Sequence, residues 1–440
     1  NMIESAPKLT QEDYLRLFLN NGYRKDSDVN ILIDKANEDY EYWDTIKYKK
    51  RPEFCSAEEL WKRIKVSRIL MTKYIWDKYA VSFGFTDKMQ GLCHEFDMNF
   101  GQGWRNHTEI TEDSKKQYLK SSLMEEAIYS SMMEGAATTR QVAKEMLRKN
   151  KQPKDRSQQM IVNNYKTIQF ISNHKDTSLS IEMLLEIHRL MTDKTLKNEK
   201  DSGRFRTIEN DVVVYNVMEG ETVHTPPDAR EIQQFAKDLC DYFNDSNSTS
   251  FLHPIIRGII IHFMIGFYHP FVDGNGRTAR ALFYWYMLKQ GYWMTEYLSI
   301  SRVIAKSKKS YEKAYLYSEV DDLDLGYFIN YNLKVLEQAY CELKEYIQRK
   351  QLEKRNSYQY MRLGHINERQ AQVIQLYVDD PNEVLTVKDL QDRFNISPTT
   401  AKQDIVSLVE RGLLKEISFN NVKKGYIKGD NFDSLLSTLN

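Results

Sequence analysis

The sequence predicts a mainly helical protein with one β island and a separate C-terminal domain of helices and a hairpin. Three observations predict this. Apolar residues recur at helical spacing from Leu60 to Tyr79 and over 118–133, 158–173, 180–192 and 325–355. β-Branched runs at Val212–Val214 and Thr222–Val223, parted by Met218-Glu219-Gly220-Glu221, mark a hairpin turning near Gly220. Over 367–430 the pattern reads helix, helix, helix, hairpin.

The 440 residues include 28 Tyr, 19 Phe and 6 Trp, enough for a sizeable core. At about 150 residues per domain, roughly three domains are expected. They divide as an N-terminal helical region (1–110), a central core (111–345), a charged linker (346–366) and the C-terminal domain (367–440). Sixty-two Lys and Arg balance 62 Asp and Glu, so no global field favours nucleic acid or an anionic membrane. Four scattered cysteines without CxxC spacing fit a reducing compartment rather than a disulfide framework. The polar start offers no targeting segment. The most apolar stretch, 255–272, is broken by Arg257, His262 and His269 and reads as a buried helix rather than a span. A cytoplasmic protein without a membrane partner is expected.

The chemistry concentrates in His269-Pro-Phe-Val-Asp-Gly-Asn-Gly-Arg-Thr-Ala-Arg280, between that helix and the next. A glycine-rich turn opening a helix lets backbone N–H groups approach an anion, and the helix start adds partial positive charge. Gly274, Asn275 and Gly276 would line this cradle. Arg277 and Arg280 share a helix face and offer bidentate forks to phosphates. Asp273 suits Mg²⁺, which takes one or two carboxylates beside substrate phosphates. His269 is the titratable base of the turn.

The whole string resembles the Fic family signature, HxFx(D/E)GNGRxxR, without a departure. The resemblance implies a Fic fold, a helical core with a β-hairpin flap, and transfer of AMP from ATP to a protein hydroxyl with release of pyrophosphate. It assigns His269 as general base, Phe271 as core anchor, Asp273 as Mg²⁺ ligand, Gly274, Asn275 and Gly276 as anion hole, and Arg277 and Arg280 as β- and γ-phosphate ligands. The intact Gly-Asn-Gly separates the chain from the phosphotransferase branch. The hairpin at about 206–225 corresponds to the flap, where a target segment would pair along Val212, Val213 and Val214 and bring its hydroxyl to His269. The target is another protein or the chain itself, and a homodimer is compatible with the resemblance.

Upstream, Ser130-Ser-Met-Met-Glu134-Gly135 resembles the (S/T)xxxE(G/N) inhibitory motif of many Fic proteins, at the end of a helix covering about 118–135. Ser130 and Glu134 stand one turn apart. The resemblance implies that Glu134 occupies Arg280 and blocks productive ATP binding, that Ser130 seats the helix, and that Glu134 also supports removal of AMP. Tyr311 is the candidate aromatic beside adenine. His188, His253 and His262 read as core or cap residues.

The C-terminal domain resembles a winged helix-turn-helix, with its wing at Ile417–Ile427 turning at Asn420-Asn421. Over 361–430, however, ten basic side chains face ten acidic ones, a weak footprint for DNA. DNA is therefore the partner of an alternative reading, a nucleotide-sensing regulator without turnover.

Overall fold

The computed structural model describes residues 3–100, 112–210, 212–216, 221–245, 250–394, 396–418 and 424–439. It divides the chain into two compact units, one of residues 1–104 and 122–339, the other of 105–121 and 340–440.

The first unit is built around the helix Pro254–Tyr268. Pro254 occupies its first turn and the His253 ring caps it, Nδ1 accepting the Ile255 N–H. Ile255, Ile256, Ile259, Ile260, Ile261, Phe263, Met264 and Ile265 are fully buried. A helix apolar on every side has to be enclosed, and each such side chain contributes about 1.5–3 kcal/mol on leaving water. Helices Asn275–Lys289 and Ile232–Asn244 enclose it, backed by Arg156–Asn173 and Ile181–Thr192. Asp155 and Ser180 start the last two by accepting N–H bonds from Gln158 and Met183. The helix Glu112–Met133 stops just before Gly135, whose φ of 89° ends it in a left-handed turn.

The β island is a hairpin of Val214–Asn216 and Glu221–His224, antiparallel, with Val214 opposite His224. Its expected turn at Gly220 lies outside the described residues. Pairing starts at Val214, so Val212 and Val213 precede the strand rather than forming it. The reason lies on the other strand, where continued pairing would run into Pro226 and Pro227, which have no N–H to donate.

A second hairpin departs from the sequence expectation. Leu60 to Tyr79 had the spacing of one helix, yet the helix Ala57–Met71 ends and Thr72–Trp76 pairs antiparallel with Val81–Gly84. Tyr74, Ile75 and Trp76 are good strand formers. The decisive partner is distant: Ser82 exchanges backbone bonds with Leu323 and Leu325.

Within this unit the N-terminal helices are tied to the segment around Tyr327 by Arg68, 1% exposed. Its guanidinium donates to Asn37 Oδ1, the Tyr327 hydroxyl and the carbonyls of Ala36 and Glu41, and lies 4.4 Å from the Tyr40 ring centre. Tyr40 in turn donates to Asp324 at 2.6 Å. Arg68→Ala leaves these acceptors buried without a donor. It is expected to cost about 3–5 kcal/mol, read as a lower denaturant midpoint.

The second unit has its own core, with Ala371, Ile374, Tyr377, Leu390, Ala401, Ile405, Leu408 and Tyr426 among its members. Helices Glu368–Asp379, Val387–Phe394 and Pro398–Glu410 precede the hairpin Leu414–Ser418 with Lys424–Lys428. Leu385 adds one more pairing, exchanging two backbone bonds with Tyr426. The turn at Asn420-Asn421 lies outside the described residues. The stretch 346–366, expected as a linker, is helical to Tyr358 and continues as the 3₁₀ turn Gln359–Leu363. Among the described residues no helix is long and apolar enough to cross a membrane.

Candidate active site

The site forms where Pro254–Tyr268 ends and Asn275–Lys289 begins. His269 caps the first helix at φ 44°, so the chain turns sharply there. Three devices hold it there. Arg206, 6% exposed, donates from Nε to the His269 carbonyl at 2.7 Å and from Nη2 to the carbonyls of Pro227 and Tyr268. The Arg206 N–H donates to the Pro270 carbonyl. The third device is the ring's own bond between Nδ1 and the Gly266 carbonyl. A carbonyl only accepts, so Nδ1 carries the proton and Nε2 keeps the basic lone pair. Burial pushes this imidazole down to about 4, with His224 and Arg206 acting in the same direction and the Gly266 carbonyl bond and Glu134 opposing.

The loop is shaped by one side chain outside the signature, His188, and two within it, Phe271 and Asn275. His188, fully buried, accepts the Gly203 N–H on Nδ1 and therefore donates from Nε2 to the Asp273 carbonyl at 2.8 Å. Its ring stacks on Phe271 at 3.8 Å. Burial holds His188 down at about 4, so it stays neutral in this role. Phe271 is fully buried, the anchor expected of it. Asn275 closes the turn with its side chain, which accepts from the Phe271 N–H and donates to the Phe271 carbonyl. Its share in an anion cradle is thus left to its backbone N–H.

Gly274 precedes the second helix at φ 87°, with Thr192 and His188 against the space a Cβ would need. The first N–H groups of that helix have no intrahelical acceptor. Over them lies the carboxylate of Glu134: a Cβ on Gly276 would stand 2.2 Å from Glu134 Oε1. The same oxygen accepts from Arg280 Nη2 at 2.8 Å. Arg280, 5% exposed, also donates to the Ser130 hydroxyl and carbonyl, both at 2.9 Å. Burial pushes the Glu134 carboxyl up, but Arg280, Arg277 and His269 outweigh it and hold the group below the usual carboxylate range.

Arg277 is fully buried and under-satisfied. Nη1 reaches the Met191 carbonyl at 3.2 Å, Asp273 stands 3.7 Å from Nη2, and Nε and Nη2 have no hydrogen-bond partner. Buried donors left unmade are costly, and an anion with several oxygens would satisfy them. Asp273, 42% exposed, accepts the Gly274 N–H and meets Arg156 at 3.3 Å. Among the described residues no group of three His, Cys, Asp or Glu could hold a metal ion. One carboxylate beside an anion cradle fits Mg²⁺ bound largely through substrate phosphates, and does not fit a structural metal.

Tyr311 lies in the helix Lys308–Val320, its hydroxyl 2.9 Å from His262 Nε2 and its ring among Tyr315, Phe328 and Tyr331. Arg280 and Glu134 act on it electrostatically. Val212 and Val213, ahead of the hairpin, and Val214, its first paired residue, are half-buried. The structure thus gathers His269, Gly276, Arg280, Ser130 and Glu134. Sequence reading missed Arg206 and misjudged the reach of His188. The nearest signal was the Gly203-Arg-Phe-Arg206 string just ahead of the hairpin.

A model of the Fic/DOC family matches residues 178–287. Over 114 residues the chain is 35% identical to protein adenylyltransferase fic-1 of Caenorhabditis elegans, covering 26% of this chain and 20% of that protein. Over 121 residues it is 31% identical to protein adenylyltransferase Fic of Nematostella vectensis, covering 27% of this chain and 25% of that one. The chain therefore spans a quarter or less of the length of these relatives. The crystal structure of a Fic family protein from Desulfovibrio desulfuricans superposes with a TM-score of 0.52 at 19% identity, covering 78% of this chain and 97% of that one. The signature lies inside the stretch, residues 178–287, that the Fic/DOC family model matches, and the fold is that of the Fic family structure.

Proposed function

We propose that the chain is a self-restrained protein adenylyltransferase that moves AMP from ATP to a Ser, Thr or Tyr hydroxyl of a target protein or of itself. One observation carries the reading: a carboxylate of the chain's own already lies on the anion cradle, against Gly276 and Arg280, beside an imidazole whose basic nitrogen is uncommitted. In the active form the triphosphate takes that place. Arg277 and Arg280 hold the β- and γ-phosphates, and the helix N–H groups hold the α-phosphate. The target hydroxyl, presented by a segment paired with the hairpin, attacks the α-phosphorus while His269 Nε2 takes its proton. A new oxygen–phosphorus bond forms, the α–β bridging bond breaks, and pyrophosphate leaves. Asp273 would hold Mg²⁺, whose contribution is to neutralise phosphate charge. Tyr311 flanks the nucleotide. In the reverse direction Glu134 orients water toward AMP already on a target.

Incubation with α-labelled ATP and Mg²⁺ tests the reading: label on protein that chelation abolishes supports it. The alternative, nucleotide sensing with DNA bound by 367–440, predicts instead a salt-dependent DNA shift and no label.

A pH prediction follows from the two shifted groups. His269 is neutral above about 4, so the acid limb of kcat/KM, which reports the free enzyme, lies near 4 rather than 6.5. The Glu134 carboxyl is held below its ordinary value, so mild acid does not neutralise it. The ratio of wild-type to Glu134→Gly labelling should stay constant between about pH 5.5 and 8, and a wild-type chain activated at pH 6 would contradict this.

A further inference from the structure

His224 closes the second strand of the hairpin, immediately before Thr225-Pro226-Pro227. Its side chain is 9% exposed. Nε2 stands 2.7 Å from the Phe267 carbonyl and Nδ1 3.0 Å from Glu319 Oε2. A carbonyl and an ionised carboxylate accept but do not donate, and a neutral imidazole has one N–H. Both bonds are satisfied together when the ring carries two protons and Glu319 none. Three elements meet on this ring: the hairpin, the last turn of Pro254–Tyr268, and the helix Lys308–Val320 through Glu319. The ring centre lies 5.9 Å from that of His269.

We propose that His224, doubly protonated against Glu319 and the Phe267 carbonyl, is a positioning residue that pins the hairpin beside the catalytic histidine and sets that histidine's basicity by its charge. The proposal rests on the transferase reading for the task of His269, but not for the electrostatics. The charged groups acting on His269 are His224 from the hairpin, Arg206 from the segment before it, and Glu134 from beyond the end of the helix Glu112–Met133. Those facing His224 are Glu319 and His269. Arg206 spends its donors on carbonyls. The pinned ring is therefore the adjustable cation next to the base.

The test uses the full chain carrying Glu134→Gly, with His224→Asn and, separately, His224→Gln. Glutamine keeps an N–H for the Phe267 carbonyl and removes the charge, so it bears the test if the asparagine variant does not fold. Histidine ring resonances are followed by NMR without nucleotide. In either variant the His269 midpoint should rise by about one pH unit from its parent value, as expected for losing a unit charge 5.9 Å away in a partly screened site. The acid limb of kcat/KM should move with it. KM for the target should rise several-fold in the asparagine variant and recover in the glutamine variant. A His269 midpoint unmoved in the glutamine variant overturns the proposal even if AMP transfer proceeds. A shifted midpoint in a protein that transfers no AMP upholds it and overturns the transferase reading instead.

Discussion

Glu134→Gly is expected to incorporate AMP from α-labelled ATP about 10- to 100-fold faster than the wild-type chain. In the wild type the Glu134 carboxylate takes two things a triphosphate needs, the Arg280 fork at 2.8 Å and the space above Gly276. A charge-assisted hydrogen bond of this kind contributes about 1.5–3 kcal/mol, equivalent to a tenfold to hundredfold shift in occupancy. The substitution removes the competitor without disturbing the seat, because Arg280 keeps both bonds to Ser130. Glu134→Gln separates charge from shape: it should release labelling in part, since an amide still fills the space. Equal labelling by wild type and glycine variant would remove the brake from the mechanism.

His269→Ala in the Glu134→Gly background is expected to lower labelling by about 10²–10⁴-fold, the usual contribution of a positioned base. The backbone N–H groups and both arginines do not depend on the ring, so ATP affinity measured by calorimetry should change less than threefold. A loss of both together would mean that the ring supports the loop rather than the chemistry. The site also explains why the base is depressed. Burial lowers it most, and His224 and Arg206 act in the same direction, opposed by the Gly266 carbonyl bond and by Glu134. An entering polyanion raises the basicity of His269, so the proton acceptor is strengthened by the substrate it serves.

What the sequence revealed was the part encoded contiguously. The run from His269 to Arg280 carries turn, helix start and forks within one stretch, and Gly135 announced the end of its helix. The brake needed the motif besides, because nothing local says that Glu134 reaches a residue 146 positions away. Groups whose role arises only on folding were not legible. His188 looks like a core histidine and is one, yet its second nitrogen holds the Asp273 carbonyl. Asn275 looks like a cradle residue, but its side chain is used within the turn. The N-terminal hairpin was hidden because Thr72–Trp76 continues a helical spacing and declares itself a strand only against Val81–Gly84. Arg68 carried no signal, since one arginine in a helix is ordinarily a solvated one.

The contact between Glu134 and Gly276 makes the chain its own ligand. Because that acid is tethered, its local concentration is set by the fold and does not dilute. On the proposed reading, nucleotide alone would have to compete against that standing value, so ordinary swings in ATP supply would leave output nearly flat. A stimulus that lifts the helix end by a few ångströms would remove the competitor outright. Such an arrangement would respond to mechanical displacement far more steeply than to metabolite level.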